Sequence, residues 1–178
     1  MFRLPIANDA ELRLLEPHHA AEVFSLIDAE RDRLRVWLPW VDDARKVDDT
    51  RLFIEEALRK FAARQSIVAG IWSATRFAGV LGVDLRAAAR TAEIGYWIGS
   101  DFEGSGLVTA ACKAILGSLF DERGVHRVEI RCEPANSRSV AVAERLGLTY
   151  EGTLRGDARV NSRFVDHRVY SLLATERS

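Results

Sequence analysis

The segment Asp101-Phe-Glu-Gly-Ser-Gly-Leu-Val-Thr-Ala-Ala111 constrains this chain more than any other. It follows a strand-like run, Glu93-Ile-Gly-Tyr-Trp-Ile98, and opens a helix-like run that reaches about Phe120. Two glycines one residue apart at such a junction let the backbone bend tightly and approach a ligand closely. The amides from Gly104 to Thr109 then lie at a helix start without intrahelical acceptors, an arrangement suited to an anion such as a pyrophosphate. A plain turn is the alternative. The lysine-serine/threonine ending of a nucleotide-triphosphate loop is absent, so that class does not match.

At 178 residues the chain is long enough for one sizeable core and short for two. Hydrophobic content of 48%, with 12 glycines and 4 prolines, suits a folded globular protein rather than a disordered one. Lys+Arg of 25 against Asp+Glu of 26 argues against a dedicated nucleic-acid binder. Cys112 and Cys132 lie in apolar surroundings on an expected helix and an expected strand, so free buried thiols are expected. His18, His19, His126 and His167 show no metal-site spacing, and no metal is expected. No apolar run approaches the roughly 20 residues needed to cross a bilayer. The first ten residues lack an apolar core and a cleavage pattern, so the expectation is a cytoplasmic protein.

Alternation predicts a first strand over Glu11–Glu16, and Pro17 stands where a helix accepts proline, in its first turn. Ala20, Val23, Phe24, Ile27 and Leu34 form the apolar side of a helix to about Arg35. Asp48 or Asp49 would cap a second helix, with Leu52, Phe53, Ala57, Leu58 and Phe61 on its buried side. Ile67–Ser73 and Phe77–Leu85 read as a hairpin about Ala74-Thr75-Arg76, and Thr91–Gly99 completes an antiparallel meander. After the glycine-opened helix, which ends near Gly124, His126–Cys132 reads as a strand and Asn136–Leu146 as a short helix. Leu148–Leu154 and Val165–Leu173 read as the last strands, joined by a polar turn region over Gly156–Arg163. With neither linker nor repeat, one mixed α/β domain over 1–178 is the economical organisation.

This order of elements resembles the GCN5-related N-acetyltransferase (GNAT) family, and within it the branch that acetylates ribosomal-protein and peptide alpha-amines. Four local features carry the resemblance: Trp37-Leu-Pro-Trp40, Glu93-Ile-Gly-Tyr-Trp-Ile98, Gly104-Ser-Gly-Leu-Val-Thr109, and Asn136-Ser-Arg-Ser139 followed by Glu144-Arg-Leu-Gly-Leu148. The resemblance implies a splayed, mostly antiparallel central sheet and acetyl-coenzyme A as co-substrate, with its pantetheine arm in the gap between two parting strands. It assigns Gly104, Ser105, Gly106, Leu107, Val108 and Thr109 to the pyrophosphate loop, and Ile98 and Asn136 to the pantetheine arm. Asn136 is equally a helix cap. The family loop often begins with glutamine or arginine, where this chain has Asp101, and Glu103 adds a second carboxylate.

Acetyl transfer needs an uncharged amine, a stabilised oxyanion and a protonated leaving thiolate. A freed amide around Trp97 to Gly99 is a candidate oxyanion donor. Glu93 and Glu129 are the base candidates, acting through water; alternatively each is a surface carboxylate or an ion-pair partner of Arg127 or Arg131. Many relatives carry a tyrosine seven residues after the asparagine, where this chain has Ala143. In the amine-modifying branch a serine three residues after the asparagine takes the acid role, and Ser139 matches it; a helix-interior serine bonded to a preceding carbonyl is the alternative. Tyr150 is a further hydroxyl candidate. Trp37, Trp40, Tyr96 and Trp97 are expected to line the acceptor groove, although strand alternation sends Tyr96 and Trp97 to opposite faces. The acceptor is expected to be a peptide or protein N-terminus. A small amine such as a polyamine or aminoglycoside, or a non-catalytic coenzyme A sensor, are the rival readings, and a homodimer is a family expectation.

Overall fold

The structure, a computed structural model, describes residues 2–7 and 9–177. Eight strands form one sheet in the order β1 (Arg3–Ala7), β2 (Ala10–Leu14), β3 (Ser66–Ser73), β4 (Arg76–Arg86), β5 (Thr91–Ile98), β6 (Arg127–Cys132), β8 (Arg163–Leu173), β7 (Thr149–Val160). All neighbours are antiparallel except β5 and β6, which run parallel. Parallel neighbours need a long crossover, and helix α4 (Leu107–Asp121) supplies it between them. The mixed α/β architecture and mostly antiparallel sheet therefore match the expectation.

Helices cover both faces. On one face α1 (Ala20–Ala29) and α3 (Val47–Ala62) set Val23, Ile27 and Ile54 against Trp72, Phe77, Val80 and Trp97. On the other, α4 and α5 (Ser137–Arg145) set Ala111, Ile115, Leu119 and Val140 against Leu12, Ile71, Leu81, Ile94 and Ile130. The two clusters are built from alternate residues of the same strands, as a period of two requires.

The structure departs from the sequence reading in six places. β1 was not expected; its Pro5 is tolerated because β1 is an edge strand. The first strand is Ala10–Leu14, ending before Glu16. The expected helix to Arg35 breaks at Glu30, where φ is −106° and ψ 6°, and restarts as α2 (Arg31–Arg35). On α3, Ala57 is buried as expected and Leu58 and Phe61 are partly buried, but Leu52 and Phe53 are 63% and 53% exposed, and Thr50 and Ile54 take their place on the buried stripe. Asp49 begins this helix by accepting from the amides of Arg45 and Lys46, both at 3.0 Å, rather than by occupying the cap position. Finally, the region 156–163 is mostly strand. The β7–β8 turn is only Asn161 and Ser162, with φ of 48° and 68°, the left-handed pair that a tight hairpin demands. Among the described residues no helix is long and apolar enough to cross a membrane.

The phase of α3 is directly testable. Ile54→Ala removes a fully buried side chain and is expected to lower unfolding free energy by about 2–4 kcal/mol, whereas Leu52→Ala should change it by less than about 0.5 kcal/mol. Urea unfolding of the two variants beside the parent checks this; equal losses would place Leu52 inside.

Candidate active site

The pairing of β5 with β6 is short. Thr91, Ala92 and Glu93 face Arg127, Val128 and Glu129, and beyond that pair the strands part. On its other side β5 stays bonded to β4 as far as Ile98, and the Gly99 amide donates to the Ala78 carbonyl at 2.8 Å. Main-chain groups alternate along a strand, so the amides of Trp97 and Gly99 point to β4, while those of Tyr96 and Ile98 point into the gap. Within the expected Trp97–Gly99 stretch, the candidate oxyanion donor thus narrows to the Ile98 amide.

The glycine loop stands beside this gap. Among the described residues, the amides of Gly104, Gly106, Leu107, Val108 and Thr109 have no hydrogen-bond partner; the first intrahelical bond is Ala110 N–H to the Gly106 carbonyl, at 3.0 Å. Gly104 and Gly106 have φ of +73° and +80°, and a Cβ at either would meet nothing within 4 Å. Glycine is needed there for the backbone conformation, and the space over the loop is open to a ligand. Ser105 behaves differently: its amide and hydroxyl both donate to the Phe102 carbonyl, so it shapes the turn.

One cavity of about 1260 Å³ joins loop and gap. This exceeds the ~300–1,000 Å³ of a typical small-ligand site and leaves room for an extended co-substrate and an acceptor together. Of the expected residues, Trp37, Tyr96, Trp97, Ile98, Gly104, Gly106, Leu107, Val108, Thr109, Asn136 and Ser139 line it. Trp40, Ser105, Glu93 and Glu129 do not. Trp40 is 40% exposed, with its ring 6.3 Å from that of Trp97. Tyr150 is also outside: it is exposed, and its hydroxyl pairs with Thr153 at 2.8 Å.

The two faces of the gap carry different chemistry. Towards α4 and α5, Asn136 accepts from the Ser139 amide at 3.1 Å and so caps α5. The Ser139 hydroxyl does not bond to a preceding carbonyl; it donates to the Tyr96 hydroxyl at 3.0 Å. Burial pushes the Tyr96 phenol well above its ordinary range, outweighing the opposing Ser139 hydrogen bond, so it stays protonated at neutral pH. Tyr96 therefore sits with Ser139 rather than in the acceptor groove. Towards α1 and α2, Trp97 is buried against Phe77, and Trp37, Arg131 and His167 complete the lining.

Both base candidates lie on this second face and are held by arginines. Glu129 accepts from Arg127 at 2.8 Å and from Arg131 at 3.0 Å. Burial pushes its carboxyl up, but those hydrogen bonds outweigh it and hold the group below the usual carboxylate range. Glu93 lies 3.5 Å from Arg86 and 3.6 Å from Arg131.

Several site residues were not singled out from the sequence. Arg33 donates to the Ile98 carbonyl at 2.6 Å and to Glu103 at 2.7 Å, and Glu103 also pairs with Arg138. Glu30 accepts from the Ser100 amide at 2.9 Å and from Arg33. The two acids that depart from the family loop are thereby accounted for, since Asp101 turns to solvent and pairs with Arg76 at 2.8 Å. Lys113 and Arg145 also line the cavity, and among the described residues neither has an ion-pair partner. No signal short of the fold marks these cations as neighbours of the loop. Cys112 and Cys132 are free and buried, and burial pushes their thiols up to about 12 and about 11. Among the described residues no group of three or more His, Cys, Asp or Glu side chains is placed to hold a metal.

Comparison with known proteins agrees with this geometry. The family model described as Acetyltransferase (GNAT) domain matches residues 10–149. The "Putative ribosomal N-acetyltransferase YdaF" of Bacillus subtilis (strain 168) is 35% identical, covering 99% of this chain and 97% of its own. The microcin C7 self immunity acetyltransferase MccE, solved in complex with acetyl-CoA and AMP, superposes with a TM-score of 0.90 at 29% identity over 94% of each chain. RimL, a ribosomal L7/L12 alpha-N-protein acetyltransferase solved with coenzyme A, shares the fold at a TM-score of 0.95 and 22% identity, over 99% of this chain and 100% of its own.

The loop is open to test. Alanine in the left-handed conformation of Gly106 costs roughly 1–2 kcal/mol. Gly106→Ala is expected to weaken acetyl-CoA binding about tenfold by calorimetry while leaving a cooperative melt. Parental affinity would mean that the loop does not grip the ligand.

Proposed function

Because the chain belongs to the acetyltransferase (GNAT) domain family and is an acetyl-CoA-dependent N-acetyltransferase, we propose that its acceptor is the alpha-amine of a protein or peptide N-terminus, with ribosomal proteins the first class to test. The observation that carries the acceptor class is the state of the carboxylates near the acceptor end. Glu93 and Glu129 pair with Arg131, Asp157 lies 3.7 Å from the same guanidinium, and Glu133 pairs with Arg163 at 3.1 Å. A polycation is recognised by carboxylates that lack a partner, and these have partners. Trp37 and the exposed Val36 and Trp40 add an apolar flank to which the first side chains of a peptide would pack. The 35% identical relative, with "ribosomal" in its name, supports the same reading.

In this reading both substrates are bound together and the amine attacks directly, since one cavity opens onto both faces of the gap. Acetyl-coenzyme A supplies the activated acyl group. The free amides from Gly104 to Thr109 hold its diphosphate at the start of α4, with Lys113 and Arg145 as counter-charges. Asn136 and the gap-facing groups of β5 hold the extended arm, and the Ile98 amide is placed to donate to a developing oxyanion. Ser139 stabilises the thiolate that leaves by turning its hydroxyl proton from the Tyr96 oxygen to the sulfur, while Tyr96 keeps its own proton on the Ser139 carbonyl. Glu93 and Glu129 hold Arg131 in place, and a proton reaches either only through intervening water.

Thiol release with a panel of ribosomal-protein N-terminal peptides, polyamines and aminoglycosides tests the acceptor class. Turnover of peptides but not polyamines is expected; the reverse preference would overturn the proposal, and tight acetyl-CoA binding without turnover would favour a sensor. Ser139→Ala is expected to lower kcat by about 10²-fold with acetyl-CoA affinity changed by less than about threefold. Unchanged kcat would remove Ser139 from the chemistry.

A further inference from the structure

We propose that His167, oriented by Asp157, is the general base that takes the proton from the acceptor amine; this rests on the amine-acetylation reading above. On β8 the register pairs Arg168 with Cys132 and Val169 with Arg131. Alternation therefore puts His167 on the face of Arg131, Glu129 and Glu93, the acceptor side of the gap, and its ring lines the cavity there.

Its Nδ1 lies 2.9 Å from Asp157 Oδ2. Asp157 occupies the irregular stretch of β7 where the register slips between Leu154 and Ala158, and such a bulge re-aims a side chain. The bulge is fastened by the Gly156 amide, which donates to Asp166 at 2.8 Å, with Gly156 at φ +61°. A carboxylate on Nδ1 fixes the proton there and leaves Nε2 with its lone pair for an incoming proton. Nε2 has no hydrogen-bond partner among the described residues.

The charged groups around the ring are accounted for. Arg131 lies 3.7 Å from Asp157 and is balanced by Glu129 and Glu93. Asp166 is spent on the bulge, and Arg168 lies on the opposite face, with its guanidinium 5.9 Å from the Tyr150 ring centre. Unlike Glu93 and Glu129, His167 reaches the cavity and carries no arginine. An imidazole is also the side chain matched to proton transfer near neutral pH.

The step balances. An ammonium N–H bond breaks, its electron pair stays on nitrogen, and the proton moves to Nε2 and then to solvent. The freed amine forms the C–N bond to the thioester carbonyl as the C–S bond breaks. The nitrogen's second proton then passes to the thiolate side, giving amide, free thiol and one released proton.

The test is the pH dependence of kcat/KM for parent, His167→Gln and Asp157→Asn, using the best peptide of the panel. His167→Gln is expected to lose about a hundredfold near pH 7. The gap should close once the alpha-amine deprotonates unaided, above about pH 8. Asp157→Asn, acting only through positioning, should lose about tenfold in kcat/KM at neutral pH, a loss that also fades above about pH 8. Acetyl-CoA affinity should be unchanged in both, showing an intact site. An active parent whose profile survives His167→Gln overturns the dyad alone. A parent that acetylates no amine on the panel overturns the acetyl-transfer reading and the dyad with it.

Discussion

The parting of β5 from β6 after a three-residue parallel pairing is the constraint from which the site follows. Main-chain donors and acceptors that leave a ladder without a partner are costly wherever water is excluded. The protein meets part of this demand itself, since Arg33 takes the Ile98 carbonyl at the end of β5. The rest of the gap is left polar and open, which is what an extended, amide-containing ligand needs. Because α4 is both the crossover that makes β5 and β6 parallel and the helix whose first amides are free, fold and anion site share one cause.

Strand alternation then divides the gap into two compartments. Tyr96 and Trp97 are adjacent in sequence, yet the phenol meets Ser139 while the indole packs with Phe77. The two compartments, one holding Ser139 and the other Arg131 and His167, are thus separated by one strand. Ala143 is fully buried, so the family's usual phenol would have no room at that position. The phenol of this cavity comes from the strand: Tyr96 accepts from the Ser139 hydroxyl and donates to the Ser139 carbonyl.

Local pattern carried most of the fold and the loop end of the cavity. The Gly-Ser-Gly junction, the Asn136 cap and the β3–β4 hairpin are each written in residues close in sequence. What was not legible depends on distance along the chain. On α3, Leu52 and Phe53 were misplaced because they satisfy a hydrophobic count without lying on the stripe through Ile54 and Ala57. The distal part of the β7–β8 hairpin, over 156–163, was read as a turn region because that stretch of β7 is mostly exposed and polar, so no alternation marks it. His167 was weighed only for metal spacing; its partner Asp157 is brought across by a hairpin and aimed by a bulge, neither of which has a sequence signature here. Pairing of Glu93 and Glu129 with Arg127 or Arg131 was already an alternative from the sequence, but the approach of Arg86 on β4 to Glu93 needed the register.

The loop acids pose the remaining electrostatic question, since an anion site that begins Asp-Phe-Glu should repel a diphosphate. Charge cancellation resolves it. Glu103 and Glu30 are matched by Arg33 and Arg138, and Asp101 by Arg76, so the loop is close to neutral before any ligand arrives. Lys113 and Arg145 are then the cations of the cavity lining with no ion-pair partner among the described residues. Together with five free amides and the positive end of a 15-residue helix, they leave the net field at the loop favourable to negative charge. The same ion pairs tie α2 to the end of β5 and to α5. The glycine loop is therefore in mechanical contact with the helix that leads into Val36 and Trp37, and the two ends of the cavity are built as one polar assembly.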